Sequence, residues 1–381
     1  MKMEIKCSKD ELYCGVQSVE RIVSARTTLP IIGNVLFETT KEGLKLSANN
    51  LEMGIEVSVP ASVKQEGSVL IPAKTLAGIV AKLPEADINI RKTDKGVVKI
   101  SYKKSNFNIN GLSPDEFPIL PKIKESKTIN IKPSTFIEMA KQTMFAVSQS
   151  EDKYVLNGVL LETGKSSGEK DESNIRMVAT DGFRLARRGE KIAGNVPEAS
   201  VIIPAKALAE VVRLLQSDGD EDLKINISNE QISFRHKDAY LVSRLIQGQF
   251  PDYKMVIPKS SAAKITMDTK ALLEASDRAG VIASGSSNII KMKVDDGAVH
   301  IIANTPDVGS VDEVVEAEIK GSEKDAIAFN VRLISDVLKV IDSPSTTMEF
   351  SGPLSPGIIR PTDGKDYIYI IMPIRTTETA A

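Results

Sequence analysis

Leu70-Ile71-Pro72-Ala73-Lys74 runs straight into Thr75-Leu76-Ala77-Gly78-Ile79-Val80-Ala81-Lys82-Leu83. The same pattern returns 132 residues later, as Ile202-Ile203-Pro204-Ala205-Lys206 running into Ala207-Leu208-Ala209-Glu210-Val211-Val212-Arg213-Leu214-Leu215. Each copy reads as a β-rich run that turns, at a proline suited to a first helical turn, into a short amphipathic helix. A fainter third copy, Phe329-Asn330-Val331-Arg332-Leu333-Ile334-Ser335-Asp336-Val337-Leu338-Lys339, follows 126 residues further on. A repeat of this length is a domain and not a solenoid unit, so three similar domains follow one another.

A hairpin pattern precedes each copy: Leu36–Thr39 with Gly43–Ala48, Leu160–Thr163 with Ile175–Asp181, and Ile290–Val294 with Val299–Asn304. Ahead of each hairpin the periodicity predicts another helix, over Lys9–Val23, Ser134–Val147 and Thr269–Ile282, with Asp10, Ser134 and Asp268 as caps. Alternating strands follow the second helix and end in Glu116-Phe117-Pro118, in Gln249-Phe250-Pro251, and, in the third copy, at Tyr367–Met372. The fold class is α+β. Boundaries fall in polar stretches beside prolines, giving domains at 1–125, 126–259 and 260–376, with 377–381 expected to be a disordered tail.

The 381 residues divide into about 127 per domain, enough for a core each. No apolar run nears the roughly 18 residues of a membrane helix. The first six residues alternate charged and apolar types, so no signal peptide is expected and the cytoplasm is the default location. Cys7 and Cys14 match no disulfide or zinc spacing and are expected to be small packed hydrophobes. Net charge is −2, which argues against an ordinary basic nucleic-acid binder. Aromatic residues make up 4% with no Trp, which argues against single-strand stacking platforms. Two histidines leave little for metal or acid–base chemistry. The composition leans away from an enzyme, and no cofactor or metal is expected.

Charge is uneven, however. The three later helices carry Lys74, Lys82, Lys206, Arg213, Arg332 and Lys339 against only Glu210 and Asp336. If equivalent helices face one surface, they make a basic lining that attracts phosphates without reading bases. A single lysine is more simply a solvated helix face. An enzyme and a protein-only scaffold remain as alternatives. Gly158…Gly164-Lys165-Ser166 has five residues between its glycines where a phosphate loop needs four, and reads as a hairpin turn. Asp181, before Gly182, fits turn chemistry better than general-base catalysis.

Several further strings resemble one family, the bacterial DNA polymerase III beta subunit or replication sliding clamp. They are Thr28-Leu29-Pro30-Ile31-Ile32-Gly33-Asn34, Asn50-Leu51-Glu52-Met53, Leu156-Asn157-Gly158-Val159, Ala179-Thr180-Asp181-Gly182-Phe183-Arg184-Leu185-Ala186, Phe250-Pro251-Asp252-Tyr253 and Ile371-Met372-Pro373-Ile374-Arg375. The resemblance implies three clamp-type domains, each with two helices on antiparallel sheets, in a head-to-tail homodimer that closes a ring around double-stranded DNA. It implies no catalysis. It also implies that the replicative polymerase, the clamp loader, other polymerases and repair proteins dock through short linear peptides.

By the same resemblance, Arg26, Gln149, Ser150 and Lys206 would face DNA; helix charge adds Lys74, Lys82, Lys141 and Arg213. Phe107 and Ile109 would meet Val281 and Ile282 of the other copy. The peptide groove would use Leu156, Thr180, Gly182, Arg184, Leu185, Pro251, Val256, Ile370, Met372, Pro373, Ile374 and Arg375, with Arg184 and Arg375 orienting polar groups of the peptide. Phe183 stands where a histidine is common and Met255 where a basic residue often sits, which predicts a more apolar groove.

Overall fold

The computed structural model describes residues 2–23, 29–123, 127–164, 174–216, 221–295, 297–321 and 326–375. The first repeat runs β1 (Met3–Ser8), α1 (Lys9–Glu20), β2 (Asn34–Thr40), β3 (Gly43–Asn49), β4 (Met53–Pro60), β5 (Ser62–Gln65), β6 (Ser68–Pro72), α2 (Ala73–Val80), β7 (Asp87–Lys92), β8 (Val97–Tyr102) and β9 (Ser105–Asn110). The second runs β10 (Lys127–Ile131), α3 (Pro133–Met144), β11 (Gly158–Thr163), β12 (Ile175–Thr180), β13 (Arg184–Glu190), β14 (Ala199–Pro204), α4 (Ala205–Leu214), β15 (Leu223–Ile227), β16 (Gln231–His236) and β17 (Ala239–Arg244). The third runs β18 (Ala263–Asp268), α5 (Thr269–Ala283), β19 (Ile289–Asp295), β20 (Ala298–Thr305), β21 (Gly309–Gly321), β22 (Ile327–Asn330), α6 (Val331–Leu338), β23 (Ser345–Phe350), β24 (Gly357–Pro361) and β25 (Tyr367–Ile371). Apart from β5, the three repeats correspond element for element.

Local chemistry explains the helix starts, with two corrections. Asp268 caps α5 as expected, accepting from Ala271 N at 2.7 Å. For α1 the cap is Ser8, not Asp10: Ser8 Oγ accepts from Glu11 N and donates to the Glu11 carboxylate. Ser134 lies inside α3, which opens on Pro133, a residue suited to the first helical position. Helix α1 buries Leu12, Gly15, Val16 and Val19, and a Cβ on Gly15 would run into Val59 of β4. Cys14 falls off that stripe and is exposed, contrary to expectation, whereas Cys7 on β1 is buried. Burial, with Glu11 and Asp87 adding, pushes the Cys7 thiol up to about 12.

Packing divides the chain differently from its repeats. Met1–Ser134 with Glu210–Leu245 forms one compact unit, and Thr135–Ala209 with Ile246–Ala381 forms the other. The cause is strand sharing between neighbours. In the first unit β17 pairs with β4, from Ala239 opposite Val57 to Ser243 opposite Met53. This builds an eight-stranded sheet ordered β10-β15-β16-β17-β4-β3-β2-β6, beside a five-stranded sheet ordered β5-β1-β7-β8-β9. In the second unit β25 pairs with β13, from Ile371 opposite Arg184 to Tyr367 opposite Arg188. The result is a twelve-stranded sheet, β14-β11-β12-β13-β25-β24-β23-β18-β21-β20-β19-β22. The second repeat thus gives half of its strands to each unit.

The two junctions share one register. The third residue of each last strand meets the third residue of its host: Leu241 faces Ile55, and Tyr369 faces Ala186. The first repeat's last strand, β9, is an edge, with no outer partner among the described residues. The matching host in the third repeat is the first half of β21. Its residues 309–316 pair only with β20 among the described residues.

Candidate functional site

Over the β13–β25 junction, Leu185 lies opposite Ile370. Both belong to a buried apolar cluster with Leu160, Val178, Ile202, Tyr253, Ile358 and Ile368. Above it opens a cavity of about 170 Å³. Its walls are Leu156, Thr180, Gly182, Arg184, Leu185, Pro251, Asp252, Tyr253, Val256, Ile370 and Met372.

The turn from β12 to β13 forms one wall, and the sequence builds it locally. Gly182 sits at φ +94°, a conformation that side chains with a Cβ avoid. Asp181 Oδ1 accepts from the backbone of Phe183 at 2.8 Å and Arg184 at 3.0 Å. Thr180 Oγ1 donates to Arg184 O at 2.6 Å. The wall is tied to the chain's last strand by Met372 N donating to Phe183 O at 2.9 Å.

Arg184 is committed to structure. Its Nε donates to Asp181 at 3.0 Å, one Nη to Asp336 at 2.6 Å and the other to Phe145 O at 2.8 Å. Burial opposes this charge, but Asp336 leads the contacts that outweigh it and raise the guanidinium pKa. Three of its five donors make these bonds, so Arg184 holds the wall, and two donors remain. Tyr253 donates to Glu162 at 2.6 Å. Burial and that carboxylate raise its pKa, so it stays neutral.

Nine of the expected groove residues line the cavity: Leu156, Thr180, Gly182, Arg184, Leu185, Pro251, Val256, Ile370 and Met372. Phe183 and Met255 are outside it, 64% and 82% exposed, and Lys153 Nζ stands 5.5 Å from the Phe183 ring centroid. Pro373, Ile374 and Arg375 run past it, with Ile374 N donating to Ala328 O. Sequence reasoning missed Asp252 and Tyr253. The signal was the quoted Phe250-Pro251-Asp252-Tyr253 string, in which Asp252 caps the short turn Tyr253–Val256 through Lys254 N.

Of the expected DNA-facing residues, Lys74, Lys82, Lys141 and Lys206 are exposed without an ion pair among the described residues. Gln149 and Ser150 are exposed just after α3, and Arg213 is tied to Glu210. Arg26 and the 377–381 tail lie outside the described residues. At the expected interface, Phe107 is exposed on β9 and stacks on Tyr102, while Ile109 is buried in its own unit. Val281 is exposed and Ile282 half-buried at the end of α5.

The cavity is largely apolar, with Asp252 the carboxylate in its wall; Asp181, in the adjoining turn, is held by Arg184 and two amides. Among the described residues no group of His, Cys, Asp and Glu is placed to hold a metal, and no helix is long and apolar enough to cross a membrane. Fold and cavity define a repeated α+β binding protein that shares strands between its domains.

The chain belongs to the DNA polymerase III beta subunit family: the family's N-terminal, central and C-terminal domains match residues 3–121, 130–252 and 254–375. It is 34% identical to the beta sliding clamp of Halalkalibacterium halodurans and 32% to that of Bacillus subtilis, over 98% of this chain and all of each relative. The solved Bacillus subtilis clamp superposes with a TM-score of 0.92 at 32% identity, covering 99% of this chain and 100% of that one. A Pseudomonas aeruginosa clamp solved with griselimycin gives 0.91 at 28% identity, covering 99% and 100%. The chain's function is therefore that of a replication sliding clamp, a polymerase subunit that performs no catalysis of its own.

Proposed function

We propose that two copies join head to tail into a ring of six similar domains, 1–125, 126–259 and 260–376 from each. This ring works in the cytoplasm, encircles duplex DNA, and holds the replicative polymerase there by topology. The observation that carries this reading is the strand sharing. Two junctions within the chain use one register, and the two strand edges left over, β9 and residues 309–316 of β21, are the halves of a third. Continued between copies, that register sets Phe107 opposite Val311 of the partner subunit, and brings Val281 and Ile282 of the partner subunit near β9. A heterologous contact closes into a ring where its rotation permits, which a repeat of the internal junction favours, and pairing removes exposed strand edges.

Lys74, Lys82, Lys141 and Lys206 face the duplex, with Gln149 and Ser150 beside them and Arg26 and Arg213 adding charge. Contacts of this kind bind phosphates without sequence preference, and their small number permits sliding. The cavity over β13 and β25 takes short linear peptides by their apolar side chains. Met372 adapts to different anchors. Phe183 and Met255 extend the apolar surface beyond the rim, while Pro373, Ile374 and Arg375 border its far side. The polymerase, the clamp loader and repair proteins compete for this groove.

The test is retention on nicked circular DNA after loading by a clamp loader, followed by linearisation. Retention on circles with rapid loss from cut DNA is the expected result; equal retention on both would replace encirclement by ordinary affinity.

A further inference from the structure

The β13–β25 cavity has a counterpart in the first compact unit. Over the β4–β17 junction, which has the same register, lies a cavity of about 300 Å³ whose walls include Leu51, Glu52, Met53, Ile119, Val242 and Arg244. Position by position, Leu51 stands where Gly182 does, Met53 where Arg184 does and Ile119 where Asp252 does. Val242 takes the place of Ile370, and Arg244 that of Met372.

Three features mark this cleft. Ile119 is 91% exposed. Leu51 is exposed and held at φ +75°, the left-handed conformation that its counterpart meets with glycine. Its turn is locked: Asn49 Oδ1 accepts from Leu51 N at 2.8 Å, and Asn50 Oδ1 from Met53 N at 2.8 Å. Arg244 is exposed, with no ion pair among the described residues. A strained backbone that fixes an apolar side chain at a cleft's lip points to use.

We propose that this cleft is a second docking site, for an extended peptide with adjacent apolar side chains and one acidic residue. Leu51, Ile119 and Val242 take the apolar groups, and Arg244 pairs with the acid. Glu52, also unpaired among the described residues, disfavours a second acid. The inference rests on reading the β13–β25 cavity as a peptide groove, because the two share one ladder. The chemistry differs: Arg184 is tied to Asp181, Asp336 and Phe145 O at one junction, whereas Arg244 is open at the other, so the two sites select different peptides.

The probe is acetyl-Gly-Glu-Leu-Leu-Gly-amide carrying a diazirine photo-leucine, used on the intact protein with attachment mapped by mass spectrometry. Attachment is expected near Ile119 as well as near Met372. Replacing the probe's Glu by Lys should weaken attachment near Ile119 about tenfold, and Arg244→Glu should restore it for the Lys probe. Attachment near Met372 alone, or attachment near Ile119 indifferent to the probe's charge and to Arg244→Glu, overturns the second site and leaves the groove reading intact. Attachment near Ile119 alone supports the second site and removes the groove. No attachment at either overturns both.

Discussion

The junctions β4–β17 and β13–β25 have the same five-pair ladder and the same left-handed turn at the lip, yet almost none of the same side chains. At one, Leu185 lies against Ile370 within a large apolar cluster; at the other, Gly54 lies against Val242, which belongs to a small cluster with Leu120 and Tyr240. Backbone pairing fixes where domains join, and the side chains above the ladder are then free to differ. The open edges of β9 and β21 are the two halves of the junction proposed above between copies.

The third junction is the easiest to break. Phe107→Asp, or Val311→Asp, sets a carboxylate against an apolar partner at the centre of the ladder. Either variant should convert the dimer to folded monomers in sedimentation velocity, with unchanged circular dichroism. A dimer that survives both substitutions would place the closing contact elsewhere.

Next in size is the contrast in packing. Ile370→Ala removes a side chain buried in the eight-residue cluster and should cost about 3 kcal/mol. Val242→Ala, in the smaller cluster, removes fewer methyl groups and should cost about half as much. Thermal unfolding that ranks them the other way would mean that the β4–β17 junction carries the more cooperative core.

Arg184→Met probes the wall itself. It leaves Asp181 and Asp336 without their cation, but Asp336 is partly open to water. The cost should be about 2 kcal/mol, below that of breaking a fully buried pair. If the substitution weakened peptide binding without lowering the melting temperature, Arg184 would be a ligand contact after all.

Much of this was legible in the sequence. The Pro-Ala-Lys anchors and the hairpins reported the threefold repeat because strand and helix periodicities are local. Nine of the residues that line the β13–β25 cavity were named by resemblance. Strand sharing was not legible, since nothing local in Tyr367–Ile371 says that its second neighbour, beyond β24 of its own repeat, is Arg184–Arg188. Nor was the commitment of Arg184, which depends on Asp336, 152 residues away. Cys14 was misplaced for a simpler reason: an apolar residue type does not report its angle around a helix.

The smallest effect is the sharpest comparison of the two lips. Gly182→Leu puts a Cβ into φ +94°, and Leu51→Gly removes one from φ +75°. If the two turns are backbone equivalents, the changes should have opposite signs. The first should cost about 1–2 kcal/mol. The second should recover part of a similar strain, reduced by the extra freedom glycine gives the unfolded chain, for a net gain under about 1 kcal/mol. Thermal melts of the two variants, each against the parent, read the difference directly. A loss of stability in Leu51→Gly would mean that the leucine is held by contacts within its own unit. Its left-handed conformation would then serve the fold and not a ligand.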